Sequence, residues 1–368
     1  MVSTNGQISH DYRIGIIGAG SSGTYLANLL LQQGYRVDIF ERASAPRAEG
    51  CGILVIRSGM EILQAGSPEL CQKVLEAGNP VKSFEFRNLR GEAFRSHIVE
   101  DRDDLLPRVL IHRKAILEAL LETIPEDCLH LDAQFESAMQ SDRGVVARFQ
   151  DGSQWEGDLL IGSDGIASKV RECVVPGVKP FYLGDIVWRG ITRDSQFCSE
   201  GQFIVYTRGR GIYANFFDLG GDRTHWGFFI EAERDESEVG KPRPNNIAIP
   251  PQELAKLPED ARNLIASTPP EQVTCRYSYD LDCLPQLYQG RILLIGDAAH
   301  AKSPTQALGM TSGWEDAQRL SHHLATSSDL DEAIANFQAE RMPIVHEYQR
   351  ESREMSLKIG RRRRRAAA

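Results

Sequence analysis

The sequence lacks the features that would place it in a membrane, on a nucleic acid or in a disulfide scaffold. No uninterrupted apolar run approaches the roughly 18 residues needed to cross a bilayer. The seven cysteines are odd in number, widely spaced and never arranged as CxxC, so neither a disulfide framework nor a zinc site is expected. Positive charge is in deficit: a net charge of -9 is the opposite of the basic face that nucleic acid requires. The N-terminal MVSTNGQISHDY has neither a basic segment nor an apolar one, so no secretion is expected. These absences predict a soluble protein of a reducing cytoplasm, with no metal, no nucleic acid and no membrane span. One local anomaly is Arg361 to Arg365, followed by Ala366 to Ala368. A solvated chain end explains such a run more simply than a tail for an anionic surface.

What is present is ordinary in bulk and specific in detail. At 368 residues the chain is long enough for two joined domains. Residues 13–41 read as strand, turn, helix and strand. Ile14 to Ile17 form a buried-strand run, Tyr25, Leu26, Leu29 and Leu30 recur at helical spacing, and Gly34 marks the stop. Between strand and helix stands Gly18-Ala19-Gly20-Ser21-Ser22-Gly23, a GxGxxG. Gly18 permits the tight turn, Gly20 a close phosphate, and Gly23 close packing of helix on strand. The helix N-terminus then offers unpaired N–H groups to a diphosphate. Glu41 ends the second strand, where a carboxylate accepts from ribose hydroxyls. This unit predicts dinucleotide binding without choosing between NAD and FAD.

Further on, Val109 to Ile111 lead into a helix through Ile124, and Val145–Phe149 with Trp155–Ile161 read as a hairpin of two strands. Residues 181–284 change character, with antiparallel strands expected at 203–206, 211–219 and 224–231, the last two joined at Gly220-Gly221-Asp222. A proline-rich surface loop is expected at 233–251, a short helical stretch at 252–267, and one long helix from Asp329 to Leu357. Arg291 to Ile295 form a second buried strand that opens into Gly296-Asp297-Ala298-Ala299-His300. An aspartate there can bond the hydroxyls of a polyol chain, or simply cap the next helix. The loop from Pro304 through Gly309, Met310 and Thr311 opens into a helix whose N–H groups suit an anionic edge.

These segments, with Gly162-Ser163-Asp164-Gly165-Ile166-Ala167-Ser168-Lys169-Val170-Arg171 and Ile111-His112-Arg113, carry a resemblance. The chain resembles the single-component, FAD-dependent aromatic hydroxylases of the p-hydroxybenzoate hydroxylase type, in the family's order over residues 13–345. The resemblance implies an α/β fold: a Rossmann-like FAD-binding domain interleaved with a mainly antiparallel β-sheet substrate domain, and a long C-terminal helix. It assigns 11–75, 101–178 and 285–328 to FAD, 76–100 and 179–284 to substrate, 329–360 to the helix and 361–368 to the basic tail.

The same resemblance places FAD on Gly18, Gly20, Ser22, Gly23, Glu41, Arg42, Arg113, Asp164, Asp297, Pro304, Gly309, Met310 and Thr311. NAD(P)H is implied as a transient reductant, binding without a Rossmann domain of its own. Oxygen from O2 would then reach a small-molecule substrate through a flavin C4a-hydroperoxide, by hydroxylation or epoxidation of an aromatic or polyketide-like molecule. The sequence departs from the family after Pro304, where Gly-Gln-Gly and a following Asn are replaced by Ala307, Leu308, Gly309 and Thr311. That departure keeps open an FAD-dependent dehydrogenase or reductase without oxygen insertion, and an inactive flavoprotein-like binding partner is a further alternative. The absence of WxWxIP argues against a flavin halogenase.

Substrate contacts are expected from the antiparallel region. Trp188, Arg189, Tyr206, Tyr213, Asn215, Phe217, Trp226 and Phe228 are the candidates there, with Arg57 from outside it. Tyr213, Asn215 and Phe217 alternate, and so should share one sheet face. Cys51, between Gly50 and Gly52, reads as a small residue permitting close approach rather than a catalytic thiol. His300 reads as orienting its loop, and His322 and His323 as structural or surface residues. The expected assembly is a monomer or homodimer.

Overall fold

The computed structural model describes residues 12–45, 51–100, 102, 104–141, 144–193, 196–209, 211–232 and 248–358. Gly50, most of the proline-rich loop and the arginine run of the sequence reading lie outside the described residues.

Four apolar or small residues, the IGII that follows Arg13, make Arg13–Ile17 the buried middle of a six-stranded sheet. Its neighbours are Arg36–Phe40 on one side and Leu159–Gly162 on the other, both parallel. Ile292–Leu294 extends the sheet beyond Leu159–Gly162, again in parallel, and Leu129–His130 lies beyond Arg36–Phe40. The chain therefore reverses its direction of travel across the sheet beside Arg13–Ile17. In such sheets ligands bind outside the carboxyl ends of the strands at that reversal. Four strand ends meet there: Ile17 before Gly18, Phe40 before Glu41, Gly162 before Ser163, and Leu294 before Gly296-Asp297.

The helix Ser21–Gln32 crosses between the first two strands, burying Tyr25, Leu26, Leu29 and Leu30 at the expected spacing. Gly23 lets it lie close: a Cβ there would stand 2.3 Å from Ser163 Oγ and 2.4 Å from the Gly18 carbonyl oxygen. Overlap of that size must displace the backbone. Gly18 itself has φ +103, a region that glycine alone enters freely.

One strand of the sequence reading is two. Gln154–Gly157 pairs with Gly144–Phe149 in a small antiparallel sheet, whereas Leu159–Gly162 enters the parallel one. The break falls at Asp158, whose carboxylate accepts from the Arg13 N–H at 2.8 Å while its own N–H donates to the Arg13 carbonyl. Those bonds tie the bend to the start of the central strand.

Residues 181–193, 202–208, 211–218, 223–231 and 274–280, with 83–87 and 93–98, build a seven-stranded sheet. It is antiparallel except where Gln202–Arg208 runs parallel to Ser83–Arg87. One face packs on the helix Glu259–Ala266 through Trp188, Tyr206, Phe216, Trp226 and Phe228, all fully buried. The other face carries two rows of aligned residues: Arg189, Gly227, Asn215 and Val205, then His225, Phe217, Phe203 and Phe84. A fourth, short sheet is built from Gly52–Val55, Asn79–Pro80 and Val109–His112.

The alternation expected of Tyr213, Asn215 and Phe217 is broken by a bulge. Tyr206 pairs with Ala214 and Thr207 with Ile212, which leaves Tyr213 as the extra residue. Its ring packs against Phe228 at 5.0 Å and its hydroxyl donates to Glu253 Oε2 at 2.8 Å. The long helix runs from Leu330 to Lys358 with Pro343 inside it, against the helix Leu308–Thr326.

Candidate active site

Between the strand ends and the open face of the seven-stranded sheet lies a cavity of about 2510 Å³. That exceeds the 300–1,000 Å³ of a single small-ligand pocket and leaves room for two ligands side by side. Gly20, Ser22, Arg113, Ser163, Gly165, Asp297, Pro304, Gly309 and Met310 line one side. Arg189, Asn215, Phe217 and His225 line the other, with Cys51 and Gly52 where the two meet.

The first side suits a dinucleotide. Gly20 caps the helix Ser21–Gln32 without a side-chain bond, and nothing lies within 4 Å of the place a Cβ would take. Open space thus meets the unpaired N–H groups of a helix of 12 residues. Ser163 Oγ donates to the carbonyls of Ile17 and Gly18, fixing the turn from below. Asp297 opens the short helix Asp297–His300 and is exposed towards the cavity, as a polyol-binding carboxylate must be. Gly309 has no atom within 4 Å of a Cβ position, so its backbone is approachable. These donors and acceptors fit FAD.

Other expected residues stand elsewhere. The Glu41 carboxylate accepts from the Ala19 N–H at 3.1 Å and the Ala43 N–H at 3.0 Å, bracing the glycine turn, and it is not part of the cavity wall. Arg42 is exposed beside it. Asp164 turns into its own loop, accepting from Ser168 Oγ and from the Lys169 N–H at 2.7 Å, while Ser163 and Gly165 face the cavity. Burial raises its pKa, against those bonds. Thr311 is buried, with its Oγ1 2.8 Å from the Cβ position of Gly59, so it packs between helices rather than on the wall. Arg57 begins the helix Arg57–Gly66 and donates to the Leu106 carbonyl at 2.9 Å, away from the cavity. Trp226 lies on the helix side of its strand, where Nε1 donates to Thr268 Oγ1 at 2.8 Å. Neither Arg57 nor Trp226 is a wall residue. Tyr213 reaches the rim only by its bulge.

Cys51 does sit where the backbone runs close. A Cβ on Gly52 would come within 2.5 Å of the Phe217 ring and 2.8 Å of His225 Cβ. His323 is paired with Glu340 Oε2 at 2.7 Å.

Among the wall residues that escaped the sequence reading are His225 and Lys302. His225 has a weak signal, since period two puts it opposite the buried Trp226. Lys302 has none beyond being a charge among small residues, yet it belongs to a buried ionic cluster behind the Asp297 loop. Lys302 Nζ donates to His300 Nδ1 at 3.0 Å and to Ser312 Oγ. His300 Nε2 meets Asp316 Oδ2 at 2.5 Å, Gly296 N donates to the same oxygen at 2.9 Å, and Arg341 Nε donates to Asp316 Oδ1 at 2.9 Å. Burial opposes charge on Asp316, but His300, Arg341 and the Gly296 N–H hold its carboxyl well below the usual carboxylate range. Burial also lowers His300, against Asp316, so the ring serves as a neutral bridge. Lys302 is pulled down to about 8 by burial, with Asp297 and Asp316 opposing. His300 orients the loop, as its sequence position suggested.

Ala307, which replaces a glycine expected by resemblance, adopts φ 55 and ψ 24 at the start of the helix Leu308–Thr326. An alanine there costs about 1–2 kcal/mol, against about 0.5–1 kcal/mol of extra chain entropy for glycine. Ala307→Gly should therefore raise the stability measured in urea by about 0.5–1 kcal/mol, and a lower midpoint would contradict this account of the turn.

Comparison with known proteins agrees with this geometry. A family model described as "FAD binding domain" matches residues 11–352. The chain is 30% identical to an aurachin C monooxygenase/isomerase of Stigmatella aurantiaca, over 90% of this chain and 86% of that protein. It is 28% identical to a 3-amino-4-hydroxybenzoate 2-monooxygenase of Streptomyces cremeus, over 95% and 88%. The fold matches that of Klebsiella pneumoniae HpxO complexed with FAD and uric acid, with TM-score 0.81, 21% identity and 94% and 88% coverage. No helix among the described residues is long and apolar enough to cross a membrane. With a nucleotide-binding edge facing a second, sheet-walled chamber and a family match over nearly its whole length, the chain belongs to the single-component FAD-dependent aromatic hydroxylases and is an FAD-dependent monooxygenase.

Proposed function

We propose that this enzyme inserts one oxygen atom from O2 into an aromatic or polyketide-like small molecule, with NAD(P)H as transient reductant. The observation that carries the reading is the single cavity with two unlike walls. One wall has the donors for a flavin dinucleotide; the other has aromatic rings and a few polar groups, the composition of a small-molecule site. Relatives that are monooxygenases by name favour oxygen insertion over redox chemistry without it. FAD, when bound, supplies the electron transfer and oxygen activation.

The chain's own residues bind, orient and exclude water. The N–H groups above Gly20 would take the diphosphate, Asp297 the ribityl hydroxyls, and Arg113, at the cavity edge, a phosphate. The N-terminus of Leu308–Thr326, with Gly309 and Met310, would present N–H groups to the electron-rich edge of the ring. Phe217 and Phe203, stacked at 5.1 Å, and Asn215 would hold the substrate flat against it. We further propose the discontinuous division given by the sequence reading, with the parallel sheet holding FAD and the seven-stranded sheet holding substrate, in a cytoplasmic monomer or homodimer.

Substrate-dependent NAD(P)H oxidation under 18O2 tests the reaction, over a panel of phenols and quinolone-like compounds. Products without the label would refute oxygen insertion. Asp297→Ala should weaken FAD binding about ten- to a hundredfold, the worth of hydrogen bonds to a charged group. Unchanged affinity by fluorescence titration would remove Asp297 from the site.

A further inference from the structure

Among the described residues His225 is the one histidine on the sheet wall of the cavity, and its surroundings fix which nitrogen carries the proton. The Gly52 N–H donates to His225 Nδ1 at 3.0 Å, so Nδ1 holds a lone pair and the proton resides on Nε2. Gly52 can serve because it has no side chain to keep the imidazole away. The ring also lies on Phe217, with centroids 4.3 Å apart, which removes its rotational freedom. Burial first, then Arg189 on the neighbouring strand and His112 on the strand paired with Gly52, push its pKa well below the usual histidine value. The imidazole is therefore a neutral donor across the working pH range. Nε2 has no hydrogen-bond partner among the described residues, yet it is not sealed in, and the residue borders the cavity.

The other groups on this wall decide what that donor meets. Arg189 and Asn215 flank Gly227 in the next row of the sheet, so a cation and an amide stand beside the imidazole. Of the carboxylates that border the cavity, Asp297 stands on the opposite wall and Glu231 is the exposed end of its strand, while Asp185, which also feels the Arg189 charge, and Glu253 have hydrogen-bond partners of their own. Asp185 accepts from Ser278 Oγ at 2.6 Å, and Glu253 is engaged by Tyr213, Arg208 and Lys256. Around His225 the wall thus presents donors and positive charge, framed by aromatic rings.

We propose that His225 is a substrate-orienting residue, whose outward Nε2–H, together with Arg189, receives an oxyanion carried on an aromatic ring, a phenolate or a ring enolate. The inference rests on the proposed reading only for the identity of the chamber. The Gly52 N–H makes the donor permanent, so recognition does not wait for the histidine to be protonated. It also ties the substrate wall directly to the residue that follows Cys51, at the meeting of the two walls.

The test uses the FAD-loaded protein without reductant and two probes, 4-nitrophenol and its uncharged counterpart nitrobenzene. Affinities come from calorimetry, and the ionisation of bound nitrophenol from its absorption difference spectrum. The wild type should bind 4-nitrophenol as the phenolate, at lower pH than in free solution, and about tenfold or more tightly than nitrobenzene. H225F keeps the ring on Phe217 but has no donor. It should lose about tenfold in nitrophenol affinity and most of the ionisation shift, with nitrobenzene and FAD binding unchanged. H225Q can accept from Gly52 with Oε1 and donate with Nε2, and should recover most of the loss. Equal binding of both probes by the wild type would overturn the proposal. So would an H225F protein that keeps the preference, or one that loses both probes alike. Flavin occupancy is read separately from its absorbance, so these outcomes bear on His225 and not on the flavoenzyme reading.

Discussion

Asp316→Asn is expected to lower stability by about 3–5 kcal/mol, because it leaves a buried guanidinium without its main counter-charge. Asp316 and Arg341 have 1% and 3% of their surface exposed, so water cannot take the place of the lost partner. Asparagine can accept from Arg341 Nε, but its amide nitrogen cannot accept the Gly296 N–H or a proton from His300 Nε2. Three buried donors then compete for one oxygen. Glu315, which accepts from Arg341 Nη2 at 2.8 Å, is only partly buried and cannot neutralise the far side of the cation. Chemical denaturation of the flavin-free protein measures the effect, and a loss under about 1 kcal/mol would show that the cluster is not an ionic one.

A double-mutant cycle with Arg341→Met separates the ion pair from mere packing. The two changes share a partner, so their costs should not add, and the double variant should be more stable than the sum of the single losses implies. The site will feel the first change too. The Gly296 N–H bond to Asp316 sets the end of the Ile292–Leu294 strand, and Asp297 is the next residue. FAD affinity should therefore fall with Asp316→Asn even where the fold survives.

How much of this was legible in the sequence depends on whether a residue's role is decided by its own backbone or by distant partners. Gly18 and Gly23 were readable because turn geometry and close packing demand glycine at those places, and Gly20 because it leaves open space before the helix N-terminus. Asp297 was readable because it follows a buried strand directly. Trp226, Arg57 and Thr311 were misplaced because type and spacing do not say which face a side chain takes. Trp226 is a large aromatic on a strand, equally suited to a cavity wall and to a core, and Thr268 Oγ1 on another segment settled it. The alternation through Tyr213 failed at a bulge, which period-two reasoning does not anticipate. The parallel pairing of Gln202–Arg208 with Ser83–Arg87, and the helices Arg57–Gly66 and Pro68–Ala77, gave little warning either. His225 was missed for a related reason: the group that fixes its tautomer, Gly52, is 173 residues away. The family resemblance supplied what spacing could not, namely the expectation that the glycine turn and the Asp297 loop face one cofactor, and both do line the same cavity.

Lys302→Met should stabilise the flavin-free protein near neutral pH and destabilise it in strong alkali. Folding carries the Lys302 ammonium into surroundings that are almost dry, where burial pulls its pKa from 10.5 to about 8. The sign follows from proton counting. Below pH 8 the lysine is protonated in both states, and the folded state bears the full cost of a buried charge. Between pH 8 and 10.5 only the unfolded chain keeps the proton, so the cost fades as pH rises. Above 10.5 the amine is neutral in both states and the cost is gone. At about 1.4 kcal/mol per pH unit the span amounts to about 3 kcal/mol. Methionine has nearly the same length, fills the space and never bears that cost. It also leaves His300 Nδ1 and Ser312 Oγ without the donor they share, which costs about 1–2 kcal/mol at every pH. The difference, variant minus wild type, should thus favour methionine by about 1–2 kcal/mol at pH 7, cross zero between pH 8 and 10.5, and turn against it beyond. Urea titrations of both proteins across that range give the difference directly, with the titrating groups remote from Lys302 cancelling. A flat difference would mean that Lys302 is not a buried cation, and that the loop carrying Asp297 is held by Asp316 and Arg341 alone.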